Sequence, residues 1–400
     1  MKKRKSLYCR TFQLVMRAAL PFLPYREPKM LRTMDEVAKI CERRRIRRVL
    51  LVTDSGIRGA GLTAELEEKL AERQIGCFVY DGTVANPTIH NIEEARALYA
   101  ERGCQAVIGF GGGSSSDCAK VVGARIAKPR QSVQKMRGLL KVHRRLPLLF
   151  AVPTTAGTGS ETTLAAVITD SDNHHKYPIN DFVLIPRYAV LNAKVTLGLP
   201  PYLTSTTGMD ALTHAVEAYI GGTTTKKTRR YAEKAVTWIY QNIETAWRDG
   251  ANVPARKRML YAAFLAGEAF SISYVGYVHA VAHSLGGLYG VPHGLANAVI
   301  LPYFLDYYGE AVDGKLAALA RISGMVDEAL PDHEAAEVFR RWVKEVNCRM
   351  DIPEHIPEIR EEDIPRLAAH ADREANPLYP VPVLMDKEEL AAMYLKVKGE

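Results

Sequence analysis

Cysteine is scarce and unpatterned in this chain of 400 residues: the six stand at positions 9, 41, 77, 104, 118 and 348, with no Cys-x-x-Cys pair. That excludes a disulfide framework and a cysteine zinc site, and a reducing, cytoplasmic setting is expected. No Gly-Lys-Ser/Thr follows the glycine-rich turn at 111–113, so a Walker phosphate loop is absent too. Acidic residues are the third scarcity, but only locally. Residues 1–50 hold 4 Asp and Glu against 15 Lys and Arg, whereas the other 350 hold 41 against 38; a net +11 and a net −3 make up the overall +8. A nucleic-acid binder spreads basic residues over a folded face, and a body that is slightly acidic excludes general nucleic-acid binding.

What is present is globular material. Hydrophobic residues make up 47% and charged residues 24%, which excludes a largely disordered or fibrous chain, and the length points to two domains. The basic start, Met1-Lys2-Lys3-Arg4-Lys5, resembles the n-region of a signal peptide. The stretch after it is interrupted by Arg10, Gln13 and Arg17, lacks a clean cleavage site and is too short and polar to span a bilayer. Leu7, Phe12, Leu14, Val15, Ala18 and Ala19 fall on one side of a helix, which suits packing on the protein's own domain or a partner subunit better than a membrane surface. Pro21, Pro24 and Pro28 end it.

From there the first half alternates strands and helices. Strands are expected at 47–53, 77–80, 106–110 and 147–152, and helices at 63–73, 92–102 and 117–127, the pattern of a parallel, helix-covered sheet that binds ligands beyond its carboxyl edge. After Pro200-Pro201 helical spacing takes over, clearest at 207–219, 229–247 and 254–271, and no strand pattern returns.

Chemistry gathers at the strand ends and in the helical half. Gly111-Gly112-Gly113-Ser114 follows a strand and opens a helix, which suits a pyrophosphate, although Ser114 stands where the full dinucleotide fingerprint has its third glycine. Asp54 ends another strand, as a ribose ligand that disfavours a 2′-phosphate or as a simple cap. Thr154, Thr155, Gly157, Thr158, Gly159, Ser160 and Thr163 crowd a third strand end with hydroxyls. Asp210 and His214 are four apart, as are His279 and His283, and His293 follows. A carboxylate with imidazoles suits Fe²⁺ or Zn²⁺; the spacing leaves open which three of the four histidines bind.

Four blocks, Gly111 to Lys120, Pro153 to Glu161, Gly208 to Glu217 and His279 to Gly294, closely resemble the signatures of the iron-containing (group III) alcohol dehydrogenases, in that family's order and spacing. The resemblance implies an α/β dinucleotide-binding domain with a parallel sheet, residues 31–200, and an all-α metal-binding domain, 201–400. This is the dehydroquinate synthase-like fold, with the site in the cleft; residues 1–30 form a basic extension outside it. It further implies metal ligands Asp210, His214, His279 and His293, and leaves His283 to relay a proton. Cofactor contacts fall on Asp54, Asn86, Gly112, Gly113, Ser114, Asp117, Thr154, Thr155, Thr158, Thr163 and Lys176, and Phe270 matches a substrate-pocket aromatic. The implied activity is hydride transfer between NAD(H) and a small primary alcohol or aldehyde at Fe²⁺, with Zn²⁺ as an alternative, in a homodimer or higher homo-oligomer. Two departures stand out. Asn192-Ala193 replaces the family's usual Asp-Pro, a change expected to be a surface cap, and Ala165 replaces the polar pocket residue of some diol-specific members. A metal hydrolase using the same Asp/His cluster, and a zinc polyol dehydrogenase on the same scaffold, are the competing readings.

Overall fold

The computed structural model describes residues 2–171 and 175–399, so that within the basic run 1–5 Met1 lies outside the described residues. The chain opens on helix α1 (Lys2–Ala19) and forms two compact units. One comprises the described residues of 24–155 and 159–198, the other those of 1–23, 156–158 and 199–400.

The first unit runs β1 (Lys29–Leu31), α2 (Met34–Arg43), β2 (Arg48–Val52), α3 (Ser55–Gly59), α4 (Ala64–Ala71), β3 (Gly76–Tyr80), α5 (Ile89–Glu101), β4 (Ala106–Gly111), α6 (Gly113–Ala127), β5 (Gly138–Leu139), β6 (Leu148–Pro153), β7 (Ala165–Asp170), β8 (His175–Asn180) and β9 (Tyr188–Val190). Six strands form a sheet in the order β1-β9-β6-β4-β2-β3, every pair parallel. The two-residue period of a strand divides its side chains between two cores. Val49 and Leu51 of β2 pack with Met34, Cys41, Leu66 and Leu70 from α2 and α4, whereas Leu50 and Val52 pack with Ile92 of α5 and Val121 and Val122 of α6. Burial on both faces is why the strands read as continuous apolar runs. Two strands of this sheet, β1 and β9, carry no legible pattern because each is three residues long. A second sheet, β5-β8-β7, pairs β7 and β8 antiparallel and was not expected from the β-α alternation.

The second unit adds α7 (Pro201–Ile220), α8 (Lys226–Arg248), α9 (Val253–Ser273), α10 (Tyr277–Leu288), α11 (His293–Tyr308), α12 (Asp313–Ser323), α13 (Asp332–Arg349), α14 (Ile364–Ala375) and α15 (Lys387–Lys398). Among the described residues no strand follows Val190. Proline in the first turn starts α7, and Thr225 with Thr228 forms a capping box on α8. Alanine-rich faces of α7, α9, α10 and α11 share one core, and no single described helix is long and apolar enough to cross a membrane.

Helix α1 departs from expectation. It packs on the helical unit, but through Cys9, Gln13 and Leu20, while Leu7, Leu14, Val15 and Ala18 face solvent. Polar groups on or beside the inner face anchor it to backbone carbonyls of the helical unit. Arg10 donates to the carbonyls of Val381 and Pro382, and Gln13 to those of Pro377 and Tyr379.

Candidate metal centre and cofactor-binding strand ends

Asp210 and His214 stand one turn apart on α7, His279 on α10, and His293 opens α11. Their ligand-capable atoms all lie within 4.8 Å of one another. Asp210 Oδ1 is 3.5 Å from His293 Nε2 and 4.0 Å from His214 Nε2. Those separations are long for hydrogen bonds but near the ~3.4 Å between two ligands on one tetrahedral ion at ~2.1 Å. Helix α11 comes so close to α7 that a Cβ on Gly294 would lie 2.6 Å from the Thr206 carbonyl oxygen; glycine permits the approach that brings His293 to Asp210. Burial lowers the pKa of His214 despite Asp210 nearby, and lowers that of His279 further with help from the neighbouring imidazoles. Neutral rings keep the lone pair that ligation needs.

The side chains around the cluster orient it. Glu217 is fully buried; one carboxylate oxygen accepts the Val278 N–H at 2.9 Å and the other lies 2.5 Å from His279 Nδ1. With Nδ1 engaged, His279 presents Nε2 to the cluster. Asn297, one turn after His293, donates its side-chain N–H to Asp210 Oδ1 at 2.7 Å and sits 3.1 and 3.2 Å from the Nε2 atoms of His293 and His279, while its Oδ1 is buried without a partner. A buried orphan polar atom beside one carboxylate and three imidazoles fits a divalent ion. Phe270, at the end of α9, stacks on His214 with ring centroids 4.1 Å apart.

His283 stands apart from the four. One turn beyond His279, it stacks on His293 at 5.1 Å and places Nδ1 2.6 Å from Glu374 Oε1, which also accepts the Tyr379 hydroxyl at 2.7 Å. Burial alone would raise the Glu374 carboxyl, but His283 and the Tyr379 hydroxyl hold it below its ordinary value. It therefore stays a carboxylate that accepts from His283.

In the sheet unit, β2, β4 and β6 are neighbours, so Asp54, Gly112 and Thr154 follow adjacent strand ends. Gly111 has φ 147°, a conformation that excludes side chains, and a Cβ there would meet Ser115 Oγ at 2.5 Å. The turn delivers Gly113 and Ser114 to the first turn of α6, whose amides are free of intrahelical partners, and a Cβ on Gly112 would meet only Thr155, at 3.7 Å and beyond. That open cradle at a helix N-terminus fits a pyrophosphate. Asp54 caps α3 through the Ile57 N–H and also accepts from Ser115 at 3.3 Å. Asn86 Oδ1 accepts from Lys176 Nζ at 2.6 Å. Asp117 spends its oxygens inside the protein, on Ser160 Oγ and the Val167 N–H. Thr158 belongs to the helical unit, apart from Thr154, Thr155 and Thr163.

Comparison with known proteins decides the family. Residues 31–193 match the model of iron-containing alcohol dehydrogenases and residues 204–397 that of the family's C-terminal part. The chain is 36% identical to 1,3-propanediol dehydrogenase of Klebsiella pneumoniae over 352 residues, 87% of this chain and 90% of that one, and 34% identical to lactaldehyde reductase of Escherichia coli K12, over 84% and 87%. The crystal structure of a 1,3-propanediol oxidoreductase superposes with a TM-score of 0.89 at 34% identity, covering 93% of this chain and 99% of that one. The chain belongs to the iron-containing alcohol dehydrogenase family.

It is accordingly an alcohol and aldehyde oxidoreductase. Some side chains that contact the candidate site residues of this dehydrogenase escape motif reading. Glu217 and Asn297 carried a signal, because each lies three or four residues past a histidine of the cluster. Glu374 carried none, being 91 residues from His283. Lys120 is fully buried and donates to Ser160 Oγ, Thr163 Oγ1 and the Ala165 carbonyl, tying α6 to the threonine loop. Asn192 is a cap, accepting the Lys194 N–H at 3.1 Å, but it is buried rather than on the surface as expected.

Proposed function

We propose that this alcohol dehydrogenase interconverts small primary alcohols and aldehydes with NAD(H), using Asp210, His214, His279 and His293 to hold a divalent iron or zinc ion. The observation that carries the reading is the convergence of those four residues beside Phe270. When bound, the ion supplies Lewis acidity toward the substrate oxygen, and the nicotinamide accepts or supplies the hydride.

The remaining work falls to the chain. Amides of Gly112, Gly113 and Ser114 bind pyrophosphate, and Thr154, Thr155, Thr158, Thr163, Asn86 and Lys176 bind the other polar parts of the cofactor. Asp117 holds their framework through Ser160. Asp54 accepts from the ribose and repels a 2′-phosphate; the NAD-dependent methanol dehydrogenase of Bacillus methanolicus, 33% identical over 81% of this chain, supports NAD over NADP. Phe270 forms an apolar wall that keeps His214 dry. His283 takes the hydroxyl proton of an alcohol at Nε2 while Glu374 holds Nδ1, and its partly exposed ring passes the proton to water. All six cysteines are free, which supports a reducing cytoplasmic setting, and the assembly is a homodimer or larger.

The test is NADH oxidation across short aldehydes by protein purified without oxygen. Turnover with at least one is expected. Failure to bind NADH in a fluorescence titration would contradict the reading and favour metal-dependent hydrolysis.

A further inference from the structure

Helix α1 is amphipathic with its apolar side turned outward. At 100° per residue, Leu7, Leu14, Val15 and Ala18 share one stripe, and Cys9, Gln13, Met16 and Leu20 the opposite one. The second stripe meets the helical unit: Cys9 and Leu20 are buried, and Gln13 and Arg10 are anchored on carbonyls of residues 377–382. The first stripe faces solvent. Leu7 is 70% exposed, Leu14 67% and Val15 62%, and Phe22 just beyond is 86% exposed. Scattered apolar side chains on a surface need no explanation, but several on one face of one helix do.

Charge identifies what covers them. Residues 1–26 contain seven Lys and Arg and not one Asp or Glu. The basic character continues onto the neighbouring surface of the same unit. Burial disfavours the charge of Lys315, and Arg229 of α8 and Arg17 of α1 lie close enough to add to that effect; Lys226, Lys227 and Arg230 are exposed beside Arg229. Two copies meeting through α1 would bring two wholly cationic segments together. An anionic lipid surface matches both properties, because its headgroups pair with the cations while the apolar stripe enters the acyl boundary.

We infer that α1 is a membrane-surface anchor, docking the enzyme reversibly on anionic bilayers through Leu7, Leu14, Val15 and Phe22 with a basic surround. This is independent of the reaction at the metal centre, since none of these residues touches it.

The full chain is sedimented with vesicles of phosphatidylcholine alone and of phosphatidylcholine mixed with phosphatidylglycerol. Expected is binding to the mixed vesicles only, reduced at about 1 M salt where the screening length is about 3 Å. Leu14→Glu/Val15→Glu should weaken binding at least about tenfold, the order expected from losing apolar insertion. Leu7→Ser/Phe22→Ser provides a second variant without added charge, and both should keep wild-type aldehyde reduction. Wild type left in the supernatant with mixed vesicles would overturn the proposal, as would undiminished binding by both folded variants. Self-association in light scattering that Leu14→Glu/Val15→Glu disperses, with no vesicle binding, would overturn it by assigning the face to a second copy.

Discussion

His279 and His283 lie one turn apart on α10, yet one faces a buried carboxylate and the Asp/His cluster and the other a glutamate with solvent beyond. That difference separates their predicted effects. His279→Ala should lose metal and activity together. His283→Ala should keep its metal but turn over slowly and lose the imidazole inflection from the pH-rate profile; a metal-free His283→Ala protein would sink the assignment. Glu217→Gln keeps the shape but not the charge behind His279, and metal affinity should fall about 10- to 100-fold, read as metal retained after dialysis against a graded chelator. The Asp210 and His279 positions were legible because one-turn spacing projects side chains to one face. Asn297 follows the same rule from His293 and went unread because an amide is not an obvious ligand, and Glu374 was illegible because only tertiary packing brings it to His283.

Among elements, α6 and the threonine loop depend on Lys120. Burial lowers its pKa to about 8, against the opposing pull of Asp117 and Glu161. Lys120→Met leaves Ser160 and Thr163 without their shared donor and should cost about 2–3 kcal/mol, measured by denaturant unfolding, and should weaken NADH binding by loosening the loop. Because the folded-state pKa is depressed, the amine's contribution is lost as pH falls through about 8 and is fully present above the unfolded value of 10.5. The cost of Lys120→Met should therefore rise with pH across that interval. The strands β2, β4 and β6 were legible since both their faces are buried, and β3, half-buried at the sheet edge, from its short apolar run before Asp81-Gly82. Three-residue β1 and β9 were not, and β7 and β8, which pair antiparallel, lie outside the β-α alternation that the sequence shows. In α1 the face that docks differs from the apolar stripe: Cys9 and Gln13 are turned inward, and Arg10 and Gln13 bond carbonyls of residues 377–382.

At the scale of the molecule, the proposed metal ligands and the proposed phosphate cradle belong to different compact units. Chelation should therefore abolish turnover while NADH binding, followed by fluorescence, survives with an affinity within a few-fold of the untreated protein; loss of both together would show that the ion also holds the sheet unit's site. The overall charge likewise divides, since the excess lies in residues 1–50 and the body is slightly acidic. The most direct test of the central claim is metal analysis of wild-type and His279→Ala protein purified without oxygen, alongside aldehyde-dependent NADH oxidation. Iron or zinc bound stoichiometrically in the wild type and absent from an inactive, folded variant is the predicted result; a variant that retains the metal, or a metal-free wild type that turns over, would contradict it.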